Sequence, residues 1–348
     1  ETKTQTFGTG PYMYTGDNDG TTYKFVANPN YWSEKPEVET FNIKVIPDND
    51  AKVLALRNGE IDAIIGADKI SFDAYGEFEK ANGFGAVRSE VTEKTRLISL
   101  NLSAAPFNDT AVRMAASYAI DKAAICDGLF DGLEVKADSL FDRSYPYCDV
   151  DVPVYNYNVE KAKSVLEEAG WIDTDGDGIR EKNGVKLSGA GVYMAGNAMY
   201  DELAETISSQ FKAVGMEMNI QGMDMMAYYQ NLMENNWSLS VVSTYGMLFD
   251  PFTMIENMDP RSQMDPAANK LLTGVENGAS LMDTLNKQTE DAEVAQSYKA
   301  ILTAVAETAS CIPLSYSKEL IVYNSEKIAG FAFSDYPTLA LVKNIDMK

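Results

Sequence analysis

Three observations predict an α/β fold for this sequence. Strand-like runs flank a short helical pattern at 41–65, and from Asp109 onward longer helical patterns alternate with β-rich runs. The length, 348 residues, is enough for a large core and roughly two domains.

The elements follow in order. Gly8-Thr9-Gly10-Pro11-Tyr12 is a tight turn: the glycines permit backbone angles other residues avoid, and Pro11 fixes the exit into an extended segment. Residues 23–27 and 41–46 alternate or run β-branched, as strands do. Asn49 or Asp50 can cap a helix over 51–58, Gly59 ends it, and 61–65 reads as a buried strand. Residues 96–102 form another apolar strand. Asp109 is positioned to cap a helix whose Val112, Ala115, Ala116, Ala119, Ile120 and Ala123 fall on one face. Further helices are expected at 158–169, 200–214, 224–235 and 290–309. Strands are expected at 187–194, 216–221, 237–243, 312–316 and 320–323. There is no repeat of fixed period and no low-complexity linker.

Composition narrows the function classes. The net charge of −23 argues against nucleic-acid binding, which draws its affinity from Lys and Arg, and against an anionic membrane surface. There is no histidine, which excludes Ser-His-Asp and Cys-His catalysis and every zinc site built on His pairs. It also removes the commonest ligand for nickel, copper or zinc. Cys126, Cys148 and Cys311 are too few and too scattered for a disulfide framework, and three idle thiols are expected rather than a Cys126–Cys148 bridge. No apolar run reaches membrane-spanning length, and the first residues carry no basic-then-apolar signal segment.

Two constellations could carry chemistry. In Thr244-Tyr245-Gly246-Met247-Leu248-Phe249-Asp250-Pro251, two aromatics flank a glycine in a loop leaving a strand, where α/β sheets put ligands. Asp250 with Pro251 reads first as the cap of the next helix and second as a ligand contact. The sixteen methionines, Met223, Met225, Met226 and Met247 among them, read as adaptable core and cleft lining rather than thioether ligands. Asp173-Thr174-Asp175-Gly176-Asp177-Gly178 matches the first half of a calcium loop, with the Ile179 carbonyl and Glu181 at later ligand positions. Position 12 is Gly184, so the bidentate glutamate is lacking, and a solvated acidic turn is the competing reading.

A series of segments, taken in this order, carries a resemblance. They are Gly8–Tyr12, Asn30-Tyr31-Trp32-Ser33-Glu34-Lys35-Pro36, Val45-Ile46-Pro47-Asp48, Leu56-Arg57-Asn58-Gly59-Glu60-Ile61-Asp62, Ala105-Pro106-Phe107-Asn108-Asp109, Tyr118-Ala119-Ile120-Asp121-Lys122, Tyr157-Asn158-Val159-Glu160-Lys161, Leu166-Glu167-Glu168-Ala169-Gly170-Trp171 and Ile312-Pro313-Leu314-Ser315-Tyr316. Together they resemble the substrate-binding proteins of the bacterial peptide/nickel ABC importers, extracellular solute-binding protein family 5, and cover nearly the whole chain.

The resemblance implies the two-lobed periplasmic-binding-protein fold (type II, cluster C), N-terminally incomplete here, because the Gly8 turn lies well inside the chain in that family. One lobe would comprise 1–97 and 319–348, the other 98–318, with crossings near 97–103 and 314–321 acting as a hinge that closes on ligand. It implies an extracytoplasmic protein, in the periplasm or as a cell-surface lipoprotein, whose export signal went with the absent section. It implies a monomer that is not an enzyme, needs no cofactor, and delivers a small-molecule or peptide ligand to ABC importer membrane subunits. Nickel-type members carry aromatics matching Tyr245, Phe249 and Tyr229, which enclose a small metal chelate. The stretch 133–147 and Arg180-Glu181-Lys182-Asn183-Gly184 are also nickel-like. A nickel chelate is therefore the expected ligand, held by Tyr229, Tyr245, Gly246, Met247, Phe249 and Asp250, with a di- or oligopeptide as the alternative. The nickel-type histidine would fall near Ser262 or Gln263, so metal ligands would come mainly from the chelator. Of other classes, a two-carboxylate glycosidase needs no histidine, but no pattern of eight repeated strand–helix units appears.

Overall fold

The computed structural model describes residues 8–197, 199–245, 250–334 and 342–348. The chain separates into two compact units: the stretch ending at Glu93 together with the stretch opening at Lys318, and the continuous insert Lys94–Ser317. The first unit begins with β1 (Tyr12–Asn18), β2 (Thr22–Ala27), β3 (Thr40–Lys44), α1 (Asn49–Arg57), β4 (Ala63–Ile65), α2 (Phe72–Lys80) and β5 (Phe84–Arg88). The insert opens with β6 (Lys94–Leu100), α3 (Thr110–Ala119), α4 (Lys122–Ala124), β7 (Val135–Lys136) and α5 (Val159–Glu168). It continues with β8 (Glu181–Lys182), β9 (Val185–Lys186), β10 (Ser188–Met194), α6 (Tyr200–Lys212), β11 (Glu217–Met223), α7 (Met225–Met233) and β12 (Leu239–Ser243). It ends with α8 (Phe252–Asn257), α9 (Pro266–Thr273), α10 (Gly278–Leu285), α11 (Asp291–Glu307) and β13 (Cys311–Ser317). The first unit is completed by β14 (Leu320–Asn324), β15 (Ile328–Phe331) and β16 (Ile345–Met347).

In the first unit β1, β2 and β3 form an antiparallel meander whose register aligns Tyr14, Phe25 and Phe41 on one face. Phe25 and Phe41 stack at 4.9 Å, and Tyr12 meets Phe41 edge-on at 4.8 Å. The cap of α1 is Asp48, one residue before Asn49 and two before Asp50, the caps expected. Asp48 is the residue left extended, and its carboxylate accepts from the Ala51 N–H at 2.7 Å. The strand expected over 61–65 starts only at Ala63, because the Glu60 and Ile61 amides are still held by the Ala55 carbonyl at the end of α1. A second sheet has the order β4-β14-β5, with β14 between the other two.

The insert is built on a six-stranded sheet of order β11-β10-β12-β6-β13-β7. β10 pairs in parallel with β11 and β12, with α6 and α7 as the crossovers; β6 runs antiparallel to β12, and β13 antiparallel to β6. Leu97, Ile98 and Leu100 of β6 are fully buried, as expected for a strand covered on both faces. Asp109 caps α3 by accepting from the Ala111 N–H at 2.9 Å, and Asn158 caps α5 by accepting from the Lys161 N–H at 2.9 Å. The face of α3 holds Val112, Ala115, Ala116 and Ala119 inside; Ile120 is buried as well but lies past the end of the helix, and Ala123 is exposed. Ile120 is extended, Asp121 caps the separate short turn α4, and the chain then widens into a π turn over Ile125–Leu129. Cys126, Cys148 and Cys311 are buried free thiols. Among the described residues no helix is long and apolar enough to cross a membrane.

Candidate functional site

Three parallel strands end on one edge of the insert's sheet. Met194 closes β10 beside its register partner Met223, which closes β11, and β12 leads out through Ser243 and Thr244. This carboxyl edge is where open α/β sheets take ligands, and β10 lies between the two strands its crossovers lead to and from. The loop after β12 starts from a fixed point. The buried Thr244 donates its N–H to the Thr95 carbonyl at 2.8 Å, and its Oγ1 accepts from the Thr95 N–H at 2.9 Å.

Tyr245 follows immediately and is half-buried, packed against the helical core that includes Met254, Ala268 and Leu271. Its hydroxyl is buried and faces Asp265 and Asn257 without a well-formed hydrogen bond to either. Burial above all, and then the charge of Asp265, raise its pKa well beyond the ordinary tyrosine range. Gly246, Met247 and Phe249 lie outside the described residues. Asp250 is exposed and accepts from the Phe252 N–H at 3.0 Å, so it holds the first amide of α8 from one residue before Pro251, which occupies the N-cap position itself.

Helix α7 supplies the neighbouring wall. Asp224 caps it by accepting from the Met226 and Ala227 amides at 3.0 and 3.1 Å. Tyr228 points inward, its hydroxyl 2.9 Å from Ser240 Oγ, while Tyr229 is 50% exposed with its ring 5.4 Å from that of Tyr228. The Tyr229 hydroxyl lies within electrostatic reach of both Tyr245 and Tyr228. The described residues thus bring Tyr229 and Tyr245 into one neighbourhood, with the exposed Met225, Met226 and Met233 on the same helix as Tyr229.

Asp265 is the member that sequence reading missed. It caps α9, its Oδ1 accepting from the Ala267 and Ala268 amides at 2.8 and 3.0 Å. Ala267 packs with Tyr228, and Ala268 belongs to the core on which Tyr245 rests. The available signal was Asp265-Pro266, a second Asp-Pro pair like that at 250–251. Of the two positions matched to the nickel-type histidine, Gln263 is exposed and Ser262 donates its hydroxyl to Asn257 at 3.3 Å.

The acidic loop is separate from this cluster. One carboxylate oxygen from each of Asp173, Asp175 and Asp177 lies within 4.8 Å of the others, and all three residues are exposed. Asp173 accepts from the Gly176 and Gly178 amides at 2.7 and 3.0 Å, and Asp177 from the Ile179 amide at 2.9 Å. Lys186 Nζ pairs with Asp177 and lies 3.4 Å from Asp175, an ammonium in the role a metal would fill. Glu181 accepts from the Thr174 N–H at 2.8 Å through Oε1, while its buried Oε2 has no hydrogen-bond partner.

The family model described as "Bacterial extracellular solute-binding proteins, family 5 Middle" matches residues 1–265. The nickel-binding periplasmic protein of Escherichia coli (strain K12) is 30% identical over 92% of this chain and 61% of its own length. The oligopeptide-binding protein AppA of Bacillus subtilis (strain 168) is 28% identical over 86% of this chain and 54% of its own length. The crystal structure of NikA from Brucella suis in complex with Fe(III)-EDTA superposes with a TM-score of 0.88 at 26% identity, over 98% of this chain and 68% of that one. The chain therefore spans less than two thirds of the length of these curated relatives. The architecture is that of the type II periplasmic binding proteins. On the strength of the family match across most of its length, the chain belongs to the bacterial extracellular solute-binding proteins, family 5.

Proposed function

We propose that this chain serves an extracytoplasmic binding protein that captures a small solute and hands it to an ABC importer, without catalysis. The observation that carries the reading is the aromatic pair Tyr229 and Tyr245 at the carboxyl edge of β10, β11 and β12, in a chain of this family. Tyr229, Tyr245 and the loop 246–250 would contact the ligand. A nickel chelate is the favoured solute, supported by the nickel-binding relative and by flat aromatic surfaces suited to a compact complex. With no histidine in the chain, the chelator must fill most of the metal's coordination sphere. A di- or oligopeptide is the alternative, supported by the oligopeptide-binding relative. Isothermal titration of Ni(II)–L-histidine and of trialanine against this chain separates them. Tighter binding of the nickel complex, weakened by roughly 1–3 kcal/mol in Tyr245→Ala, is expected. Tighter binding of trialanine would reverse the assignment.

A structural role is proposed for the acidic loop. Its three convergent carboxylates suit a calcium ion, whose oxygen ligands sit at about 2.3–2.6 Å, with Lys186 as the competing occupant.

A further inference from the structure

The described methionines divide between core and surface. Met216, Met254, Met258 and Met282 are buried, whereas Met194, Met225, Met226, Met233 and Met264 are exposed, all five at the carboxyl edge or beside the helices next to it. In α7, Met225, Tyr229 and Met233 recur every fourth residue and Met226 sits three before Tyr229, so the four share one outward face. Met225, Met226 and Met233 are 59%, 75% and 65% exposed. Met194 closes β10 as the register partner of Met223, the residue just before the cap of α7. Met264 directly precedes the Asp265 cap of α9, and α9 packs on α7. Single exposed apolar side chains are ordinary, but a group of them on one helix face marks a surface that meets another molecule. The other exposed methionine among the described residues, Met347, is in β16 of the first unit. Cys126, Cys148 and Cys311, the side chains that oxidants usually attack first, are buried, and burial keeps them protonated. The thioethers on α7 are therefore among the most accessible two-electron reductants of the described residues.

We propose that Met225, Met226 and Met233 form an oxidation site, converted by a peroxide to methionine sulfoxides that weaken ligand capture at Tyr229. This rests on the reading of Tyr229 as a ligand contact. A lone pair of the thioether sulfur attacks one peroxide oxygen and the O–O bond breaks. The departing hydroxide takes the proton of the transferred oxygen and leaves as water. Sulfur is oxidised by two electrons and the peroxide is reduced by two. Each product carries a polar S=O where the wall had an apolar, adaptable thioether, and a ligand seated on Tyr229 would have to strip water from it. The buried methionines are out of the oxidant's reach, so the fold is kept while the wall changes. Sulfoxide reductases return the thioether, which makes the change reversible.

The test treats the full chain, and its triple variant Met225→Leu, Met226→Leu, Met233→Leu, with hydrogen peroxide. The oxidant is then removed and Ni(II)–L-histidine and trialanine are titrated by calorimetry. Peptide mapping by mass spectrometry follows each methionine, with Met347 as an exposed control in the other unit. Met225, Met226 and Met233 are expected to oxidise at least about fivefold faster than Met254 and Met282. The parent's affinity for the probe it binds should fall at least about fivefold, and methionine sulfoxide reductases should restore it. In the leucine variant, whatever its starting affinity, the same treatment should change binding less than about twofold, because leucine is apolar and forms no sulfoxide. An affinity unmoved once the three sulfoxides have formed overturns the proposal while leaving Tyr229 standing as a ligand contact. So does an equal loss in the leucine variant, which assigns the effect to another methionine, and so does slow oxidation of all three. A loss of circular dichroism on treatment places the damage in the core and also overturns it. If neither probe binds the untreated chain, the site reading and this inference fall together.

Discussion

Removing the charge of Glu134 tests the most buried ion pair among the described residues of the insert. Arg96 Nε donates to both Glu134 oxygens, at 2.8 and 3.1 Å, and each side chain is only 1% exposed. Ser315 of β13 donates its hydroxyl to the same carboxylate, so residues of β6, β13 and the segment entering β7 meet at one point. The guanidinium also lies over the rings of Tyr200 and Phe130, at 5.7 and 6.0 Å. Glu134→Gln preserves shape and takes away the negative charge, which in such a site should cost about 3–5 kcal/mol. Arg96→Met strands the carboxylate and should cost a similar amount. The double variant Arg96→Met, Glu134→Leu removes both charges and should lose less than either single variant, since apolar replacements of a buried pair are often neutral. Urea unfolding followed by circular dichroism gives all three values, and the cycle should show a coupling of about 2 kcal/mol or more. Single variants within about 1 kcal/mol of the parent, or a double variant equal to their sum, would refute the reasoning.

The thiols should govern alkaline behaviour: burial pushes Cys126, Cys148 and Cys311 from 9.0 up to about 12. Their contribution is whole below pH 9 and is lost as the pH rises toward 12, because only the unfolded thiols ionise in that window. Lys122, lowered by burial from 10.5 to about 8, gains stability between pH 8 and 10.5, but one amine opposes three thiols. A urea midpoint that rises between pH 9 and 11 under reducing conditions would contradict this. At the acidic loop, millimolar calcium should raise the melting temperature, and more so in Lys186→Met, which removes the competing ammonium; an unchanged value in both would favour a solvated turn. Asp109→Ala should cost about 1–2 kcal/mol, because Asp109 caps α3 and also accepts from Trp171 Nε1 at 3.1 Å and Lys182 at 3.0 Å. Asp109→Asn, which retains a capping oxygen, should recover part of that loss, and a chemical melt compares the two.

What could be read from sequence was local. Asp109, Asn158 and Asp224 announce helices because a capping side chain acts within three residues of itself. The strand β12 stands out by Val241 and Val242, and β10 by Val192-Tyr193-Met194 after its two glycines. Helix α2 was not read, although Ser71 caps it and Phe72, Tyr75 and Phe78 line its buried face, because Gly76 interrupts the pattern. The helices α9 and α10 were passed over because they are short and bounded by glycine and proline, whereas Asp250-Pro251 announced the start of α8. Ile120 illustrates a third limit: its spacing continues the face of α3, yet the backbone turns extended there. At the candidate site, Tyr245 was marked by its place beside a glycine in the loop after β12, and Tyr229 only by the family resemblance. The proximity of Asp265 was not, because it depends on α9 packing against α7, a contact between segments far apart in sequence.

The order β4-β14-β5 has a consequence for how the protein is made. Every strand of the insert's sheet is encoded between Lys94 and Ser317, so that sheet is complete in the nascent chain before Leu320 is translated. By contrast, β4 and β5 are synthesised early yet share no ladder with each other, and each waits for β14 as its partner. The unit that opens the chain is therefore the last to receive all of its strands. A chain cut short just after Ser317 would keep the insert's whole sheet and leave β4 and β5 as two unpaired edges, the kind of exposed backbone that recruits other chains.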